Sequence, residues 1–308
     1  MVKTLNGVLE YALKIGAVDL ILAEGFSPAV RIAGNVQLIP KAEPLEFGEL
    51  ENFLGPLDGE CGLFCGGPWA GAEWRVRYSR EAFGKMAVLR PIGAECPEIS
   101  SLGVPNAVKT LLGAGAGLIL FAGPAVSGKT TTASAFVSEL CTQNVLRVSL
   151  LDAIPEYKIR TGSSLVQKKR DKVSCDNEIL QGIRSGTDLF WLGDMNGESI
   201  LPVLKAAASG ALVVSTFTAG SVRDVLAYLV AEENSENKKL VRTLLAANLR
   251  AIVTQRLSYS DEGEPNPPTW EVLANDSSVA PLISQGEIGK ISELLRGSEG
   301  AASRGDLR

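Results

Sequence analysis

Histidine is absent from all 308 residues. No imidazole is therefore available as a general base, a metal ligand or a charge switch near neutral pH. Cysteine is scarce: Cys61, Cys65, Cys96, Cys141 and Cys175 are the five in the chain. An odd number in a chain of this size argues against a disulfide framework. Cys61 and Cys65 enclose Gly62-Leu63-Phe64. No second pair follows to complete a metal site, so both read as structural thiols. An excess of positive charge is also missing, since 30 basic residues face 35 acidic ones for a net charge of −5. That removes any general expectation of binding to nucleic acid or acidic membranes. No apolar run approaches the roughly 20 residues that a membrane span needs. The start, Met1-Val2-Lys3-Thr4-Leu5-Asn6, lacks a signal-peptide core, so a cytoplasmic location is expected.

What the chain does have is a phosphate-loop pattern. Gly123-Pro124-Ala125-Val126-Ser127-Gly128-Lys129-Thr130 fits G-x-x-x-x-G-K-[ST]. It follows the apolar run Leu118–Ala122, which reads as a buried strand, and precedes Thr131–Leu140, which reads as a helix. A glycine-rich turn before an ordinary helix is the weaker alternative, because it leaves those flanks unexplained. In such a loop the glycines let backbone N–H groups point at phosphate oxygens, and the helix N-terminus adds partial positive charge. Lys129 would reach the β- and γ-phosphates of ATP, and the Thr130 hydroxyl would ligate Mg²⁺. Residues 123–130 with Thr131 form the candidate nucleotide site. Val126 is β-branched, so a positive φ there would be strained.

A mean hydropathy of +0.14 and 45% apolar residues support buried cores, and the length suits about two domains. The first hundred residues or so read as a small α+β domain. Leu5, Val8, Leu9, Ala12 and Leu13 share a helical face, and Asp19–Leu22, Ala29–Ile32 and Val36–Ile39 read as short strands. Gly55–Gly71 reads as loop after a short helix at Phe47–Leu54. Trp74–Tyr78 and Met86–Arg90 read as a hairpin, and Pro91–Pro105 as a linker. Beyond it, strands at Leu118–Ala122, Val145–Leu151, Leu189–Leu192 and Leu212–Ser215 alternate with helices at Thr130–Leu140, Asn177–Ile183 and Glu198–Ala208. That alternation implies an α/β fold with a mostly parallel sheet. After Ser221 the pattern is mainly helical, with one late strand at Trp270–Leu273. Residues 297–308 are small and polar and are expected to be disordered.

Several further positions carry candidate chemistry. Asp194 ends the apolar strand Leu189-Phe190-Trp191-Leu192-Gly193, the place where phosphate-loop ATPases keep a carboxylate for Mg²⁺ or for the attacking water. Asp152 ends another apolar strand, and Glu156 follows one turn later. Either could face the γ-phosphate, and either could be a solvated loop acid. Thr216 and Thr218 could sense the γ-phosphate or simply suit a strand. Arg75, Arg77, Arg80, Lys85 and Arg90 form either a solvated basic face or a set of arginines that reach a nucleotide.

With these residues in hand, the chain resembles the type IV pilus retraction ATPases, PilT- and PilU-like, within the type II/IV secretion ATPases. Ala17-Val18-Asp19-Leu20-Ile21-Leu22 with Gly25, Pro28, Arg31 and Gly34 is similar to that family's opening A-S-D-L-H-L…G…P…R…G. Trp74–Arg77, Gly84 and Ala87–Ile92 are similar to F-R-V-N…G…A-V-F-R-x-I-P. Ala206–Val213 is similar to A-A-E-T-G-H-L-V, and Leu249–Leu257 to L-R-A-V-V-x-Q-x-L. The resemblance implies a PAS-like N-terminal domain over residues 1–100 and a RecA-like nucleotide-binding domain over 101–296. It also implies a hexameric ring that couples ATP to pilus retraction or related secretion, working with an inner-membrane platform protein at the cytoplasmic face. Membrane association would then come only through partners. By family position, Arg75 and Arg90 would sense phosphate, and Asp194 with Glu156 would handle Mg²⁺ and water.

The departures from the family bear on turnover. T-I-E-D-P-I-E appears here as Ser149-Leu150-Leu151-Asp152-Ala153-Ile154-Pro155-Glu156, so its first acid is Leu151 and its last is displaced by one residue. G-E-M-R-D becomes Gly193-Asp194-Met195-Asn196-Gly197, and the T-L-H-T box becomes Thr216-Phe217-Thr218-Ala219. A-I-R-N-L-I becomes Ser278-Val279-Ala280-Pro281-Leu282-Ile283, without its arginine. Losing a general base costs about 10²–10⁴ in rate, and ~1 Å of misplacement can cost ~10²-fold. Two readings follow: a divergent ATPase motor, or a subunit that binds ATP without hydrolysing it, in a ring of its own or mixed with an active paralogue. A small-molecule kinase with an acceptor pocket above Asp152 ranks below both, because it gives the N-terminal and Leu249–Leu257 matches no role.

Overall fold

The computed structural model describes residues 4–32, 34–93, 96–151, 156–168, 175–195, 200–231, 237–260 and 266–302. The chain divides into two units. The first holds Met1–Ala94 with Ile154–Lys158 and Tyr259–Asn266, and the second holds the rest. The break at 94/95 falls inside the expected linker. The two short returns of the chain to the first unit have no counterpart in the sequence reading.

The first unit is one antiparallel sheet with two helices. Its elements are α1 (Leu5–Lys14), β1 (Asp19–Ala23), β2 (Ala29–Ile32), β3 (Asn35–Leu38), α2 (Glu49–Leu54), β4 (Cys61–Trp69), β5 (Ala72–Glu81) and β6 (Gly84–Pro91). The strand order is β3-β2-β1-β6-β5-β4. Thr4 caps α1 by accepting the Gly7 N–H, and Leu5, Val8, Leu9 and Ala12 bury the expected face. They join Leu20, Leu22, Trp74, Val76 and Leu89 in one core. β4 corrects the expectation of a loop at Gly55–Gly71. It pairs with β5 from Cys61↔Ser79 to Cys65↔Arg75. Gly62 and Gly66 make room for aromatic rings and do not mark turns. A Cβ at 62 would stand 2.3 Å from the Tyr78 ring, and one at 66 would stand 2.1 Å from the Trp69 ring.

The second unit is built on a mainly parallel sheet. Its elements are α3 (Asn106–Thr110), β7 (Gly117–Gly123), α4 (Lys129–Gln143), β8 (Arg147–Leu150), β9 (Leu165–Lys168), α5 (Cys175–Arg184), β10 (Leu189–Asp194), α6 (Ile200–Ala208), β11 (Leu212–Thr218), α7 (Val222–Ala231), α8 (Lys238–Asn248), β12 (Leu249–Arg256), β13 (Thr269–Ala274), α9 (Val279–Gln285) and α10 (Ile288–Ala302). The order is β13-β12-β7-β11-β10-β8-β9, with only β13 antiparallel to its neighbour. β7 is buried along its whole length, as a central strand covered on both faces must be. Leu118, Leu120 and Ala122 face the core shared with α6 to α10. On the opposite face Phe121 meets Phe136 of α4, ring centroids 5.4 Å apart.

Three features depart from the sequence reading here. β12 lies in the stretch read as mainly helical. α8 ends at Asn248 and β12 starts at Leu249, so no glycine or proline marks the change. β9 is a four-residue edge strand that no pattern signalled. α10 runs to Ala302, so residues 297–302 are helical and not disordered; 303–308 lie outside the described residues. Ile291 is buried in the main core and Ile288 and Leu295 pack against it, which fixes the helix that then propagates onward.

The described cysteines carry no disulfide. Burial pushes up the Cys96 thiol and the Cys141 thiol, the latter to about 11. Cys61 and Cys65 are exposed on β4. Among the described residues no cluster of Cys, Asp and Glu could hold a metal ion, and no helix is long and apolar enough to cross a membrane.

Leu120 sits in the strand that carries the phosphate loop and is fully buried. Leu120→Ala should cost about 2–5 kcal/mol. Calorimetry should show a lower melting transition for the larger unit, with the smaller unit's transition unchanged.

Candidate nucleotide site

β7 delivers the chain to the C-terminal edge of the parallel sheet, the edge where open α/β sheets bind ligands. Two residues in the following turn adopt left-handed backbone: Val126 at φ 61° and Gly128 at φ 82°. The strain foreseen for Val126 is therefore present. Gly128 is the N-cap of α4 and brings no side chain to cap it. The helix thus meets the loop through backbone groups, with the positive end of its dipole facing inward. Gly123 is equally constrained, because a Cβ there would lie 2.3 Å from Ser127 Oγ and 2.4 Å from the Gln255 carbonyl.

Two side chains mark the cradle as polar. Ser127 is 2% exposed, yet its hydroxyl has no hydrogen-bond partner. Such an orphan is the kind of group a bound phosphate oxygen would satisfy. Lys129 is largely buried, and its Nζ donates to the Pro124 carbonyl at 3.3 Å, so the ammonium curls over the loop. Pro124 and Ala125 are exposed, and Val126, Thr130 and Thr131 are half-buried around the opening.

The neighbouring strands bring further residues to the same edge. In β11, Thr218 pairs with Gly123 and Thr216 with Phe121, while Asp194 of β10 pairs with Thr216. Asp194 is exposed at its strand end, two strand spacings from β7, or roughly 10 Å. A bulge shifts the register between Trp191 and Asp194, with Gly193 at φ 65°. The Gly193 carbonyl accepts from Ser215 Oγ at 2.9 Å and from Thr216 Oγ1 at 3.0 Å. Thr216 is buried and its hydroxyl is engaged beneath the edge, whereas Thr218 is exposed at the strand end. Leu151 donates its N–H to the Trp191 carbonyl and packs against the apolar core. Asp152 lies outside the described residues.

The first unit places the remaining candidates. Arg75 of β5 and Arg90 of β6 stand directly opposite each other, a repulsive pairing if left uncompensated. Glu156 Oε1 accepts from Arg75 at 2.9 Å and from Arg90 at 2.8 Å. Arg90 also donates to Asp19 Oδ1 at 2.8 Å, and Arg31 to Asp19 Oδ2 at 3.2 Å. Burial alone would lower the pKa of Arg90, but its hydrogen bond to Asp19 and the charges of Glu156 and Asp19 outweigh that and raise it. The Gly93 N–H anchors the Glu156 carbonyl at 3.0 Å. The carboxylate of Glu156 is thus held by two guanidiniums in the smaller unit. Lys85 pairs with Glu51, so much of the basic cluster is internally neutralised. Asp19 had no role in the sequence reading. An acid inside an apolar strand was the available signal, since buried carboxylates must be paired.

A glycine-bounded turn between a buried parallel strand and a helix, with a carboxylate at a nearby strand end, is the architecture of the P-loop nucleotide-binding proteins. Residues 71–264, more than half of the chain, match the type II/IV secretion system protein family, and the chain belongs to it. It is similar to YggR of Escherichia coli strain K12, an uncharacterized protein, at 26% identity over 94% of this chain and 91% of that one. It is also similar to the type IV pilus retractation ATPase PilT of Pseudomonas aeruginosa, at 25% identity over 94% of this chain and 88% of PilT. The crystal structure of the pilus retraction motor PilT with bound ADP shares the fold, with a TM-score of 0.77 at 24% identity over 95% of this chain and 89% of that one.

Two outcomes follow from this geometry. A left-handed β-branched residue is strained by about 1–2 kcal/mol. Val126→Gly should therefore raise the melting temperature of the larger unit by roughly 2–4 °C without weakening nucleotide binding, as read by calorimetry with and without MgADP. Glu156→Gln keeps the shape but removes the charge between Arg75 and Arg90. It should cost about 1–3 kcal/mol, less at high salt, seen as an earlier transition of the smaller unit.

Proposed function

We propose that this chain is a P-loop ATPase subunit of a pilus or secretion motor of the type II/IV family. The observation that carries the reading is the turn at 123–129: left-handed backbone at Val126 and Gly128, an uncapped helix N-terminus and the Lys129 ammonium converge on one polar cradle. The orphan Ser127 hydroxyl and the tight glycine positions suit a phosphate group. Residues 123–131 would hold ATP by its phosphates, and Thr130 with Asp194 would hold Mg²⁺, directly or through water. When bound, the metal neutralises charge on the β- and γ-phosphates. Asp194 then takes the acidic role at the sheet edge, and Arg75 and Arg90, which share Glu156 between them, are the candidate phosphate-sensing arginines. By its resemblance to the pilus retraction ATPases, the chain would work in a ring of six, homomeric or mixed with an active paralogue, at the cytoplasmic face of an inner-membrane platform.

A second reading is a subunit that binds ATP and does not turn it over. Leu151, packed into the core at a strand end where relatives of this kind carry an acid, favours it. Titration with MgADP and a phosphate-release assay on one preparation separate the two. Lys129→Ala should weaken nucleotide binding about 100-fold or more, because a buried charge-assisted contact is lost. Wild-type turnover above the Lys129→Ala background supports the motor. Tight binding with turnover equal to that background supports the regulatory subunit. No retention of MgADP at millimolar levels overturns both.

A further inference from the structure

The Leu249–Leu257 segment enters the sequence analysis only as a matching stretch, yet it forms the strand beside the phosphate loop. β12 pairs with β7 through Thr254↔Ala122, which sets Gln255 alongside the loop's first glycine. Gln255 is 6% exposed and touches both ends of the turn. Its carbonyl oxygen lies 2.4 Å from where a Cβ on Gly123 would stand, and its side-chain Nε2 lies 2.9 Å from where a Cβ on Gly128 would stand. Its Oε1 accepts from Thr132 Oγ1 at 2.7 Å, and Thr132 is itself buried at 1% exposure. The Thr132 N–H closes the first turn of α4 onto the Gly128 carbonyl at 3.0 Å.

Resting on the nucleotide-binding reading above, we infer that Gln255 is the positioning residue of the phosphate loop, locking the left-handed Gly128 and the first turn of α4 in the geometry that receives a polyphosphate. With the Thr132 hydroxyl donating to Oε1, the other end of the amide, Nε2, faces Gly128. That places a donor dipole beneath the cradle, where it adds to the field of the helix N-terminus. A purely apolar residue would fill the same volume but would leave the buried Thr132 hydroxyl unpaired and the turn free to relax.

The test compares MgADP affinity by calorimetric titration with the melting temperature measured without nucleotide. The variants are Gln255→Leu, Thr132→Val, their double and Thr132→Ser. Gln255→Leu and Thr132→Val should each weaken MgADP about tenfold, the size of one buried hydrogen bond. The double should be no weaker than either single, since both break one contact. Thr132→Ser, which keeps the hydroxyl, should restore binding to within about twofold of wild type. Gln255→Glu keeps the acceptor but sets negative charge beneath the cradle, and should bind more weakly than Gln255→Leu at low salt. A folded Gln255→Leu that binds within twofold of wild type overturns the inference, whatever its melting temperature. Should Gln255→Leu fail to fold, equal affinities for Thr132→Val and Thr132→Ser overturn it. If wild type itself retains no MgADP, the nucleotide reading falls and takes this inference with it. Wild-type binding with indifferent variants removes only the positioning role.

Discussion

The turn between β7 and α4 has two demands to meet at once. It must leave a buried strand at full hydrogen-bond occupancy, and it must enter a helix whose first amides stay directed at the solvent side of the sheet edge. Right-handed backbone alone does not achieve that reversal within five residues, and left-handed φ at Val126 and Gly128 does. Only Gly128 adopts it without strain, so the cost at Val126 has to be offset by packing elsewhere. The offset is visible in the close approach of β12 to Gly123 and Gly128 and in the aromatic contact of Phe121 with Phe136, which fixes α4 on the sheet. Removing β12 from the sheet would take away the packing against Gly123 and Gly128. The functional edge is thus a consequence of strand order as much as of the loop's own sequence.

The smaller unit solves a different problem, that of like charges forced together by register. Antiparallel pairing of β5 with β6 sets Arg75 opposite Arg90, and pairing of β1 with β2 sets Asp19 opposite Arg31. Only the arginine pair is repulsive, and the alternating chain Arg31, Asp19, Arg90, Glu156, Arg75 offsets it with counter-charges in four ion-pair contacts. Glu156 comes from a segment that leaves β8 only a few residues earlier in sequence. The guanidiniums of Arg75 and Arg90 both converge on one oxygen of its carboxylate, Oε1 of Glu156, in charge-assisted hydrogen bonds.

How legible this was in the sequence depended on whether local chemistry and tertiary context agreed. β7, the loop and α4 were readable because a five-residue apolar run, spaced glycines and a helical pattern all pointed to one strand–turn–helix unit. The difficulty foreseen at Val126 was readable from β-branching alone. β4 was not, since its glycines look like turn residues until the Tyr78 and Trp69 rings that lie over them are known. β12 was hidden by the abrupt passage from α8 into strand. Thr216 and Thr218 differ by one pleat, and only the bulge at Gly193 shows that one hydroxyl turns inward to a carbonyl. Glu156 read either as an acid facing the γ-phosphate or as a solvated loop acid, because spacing cannot reveal that this segment belongs to the smaller unit.

Binding and turnover are carried by different kinds of atoms, and this explains how the loop survives divergence while the surrounding boxes do not. Phosphate recognition at a helix N-terminus depends on backbone amides, which no substitution removes so long as φ and ψ are kept. Ala125 and Val126 can therefore stand in a loop whose glycines are held by β12. Water activation depends on a single carboxylate at a set distance, so the motor and the non-hydrolysing subunit are told apart at Asp194 and Leu151 and not at the loop. A chain about one quarter identical to PilT can in this way keep the backbone that shapes the turn while the side chains around it differ.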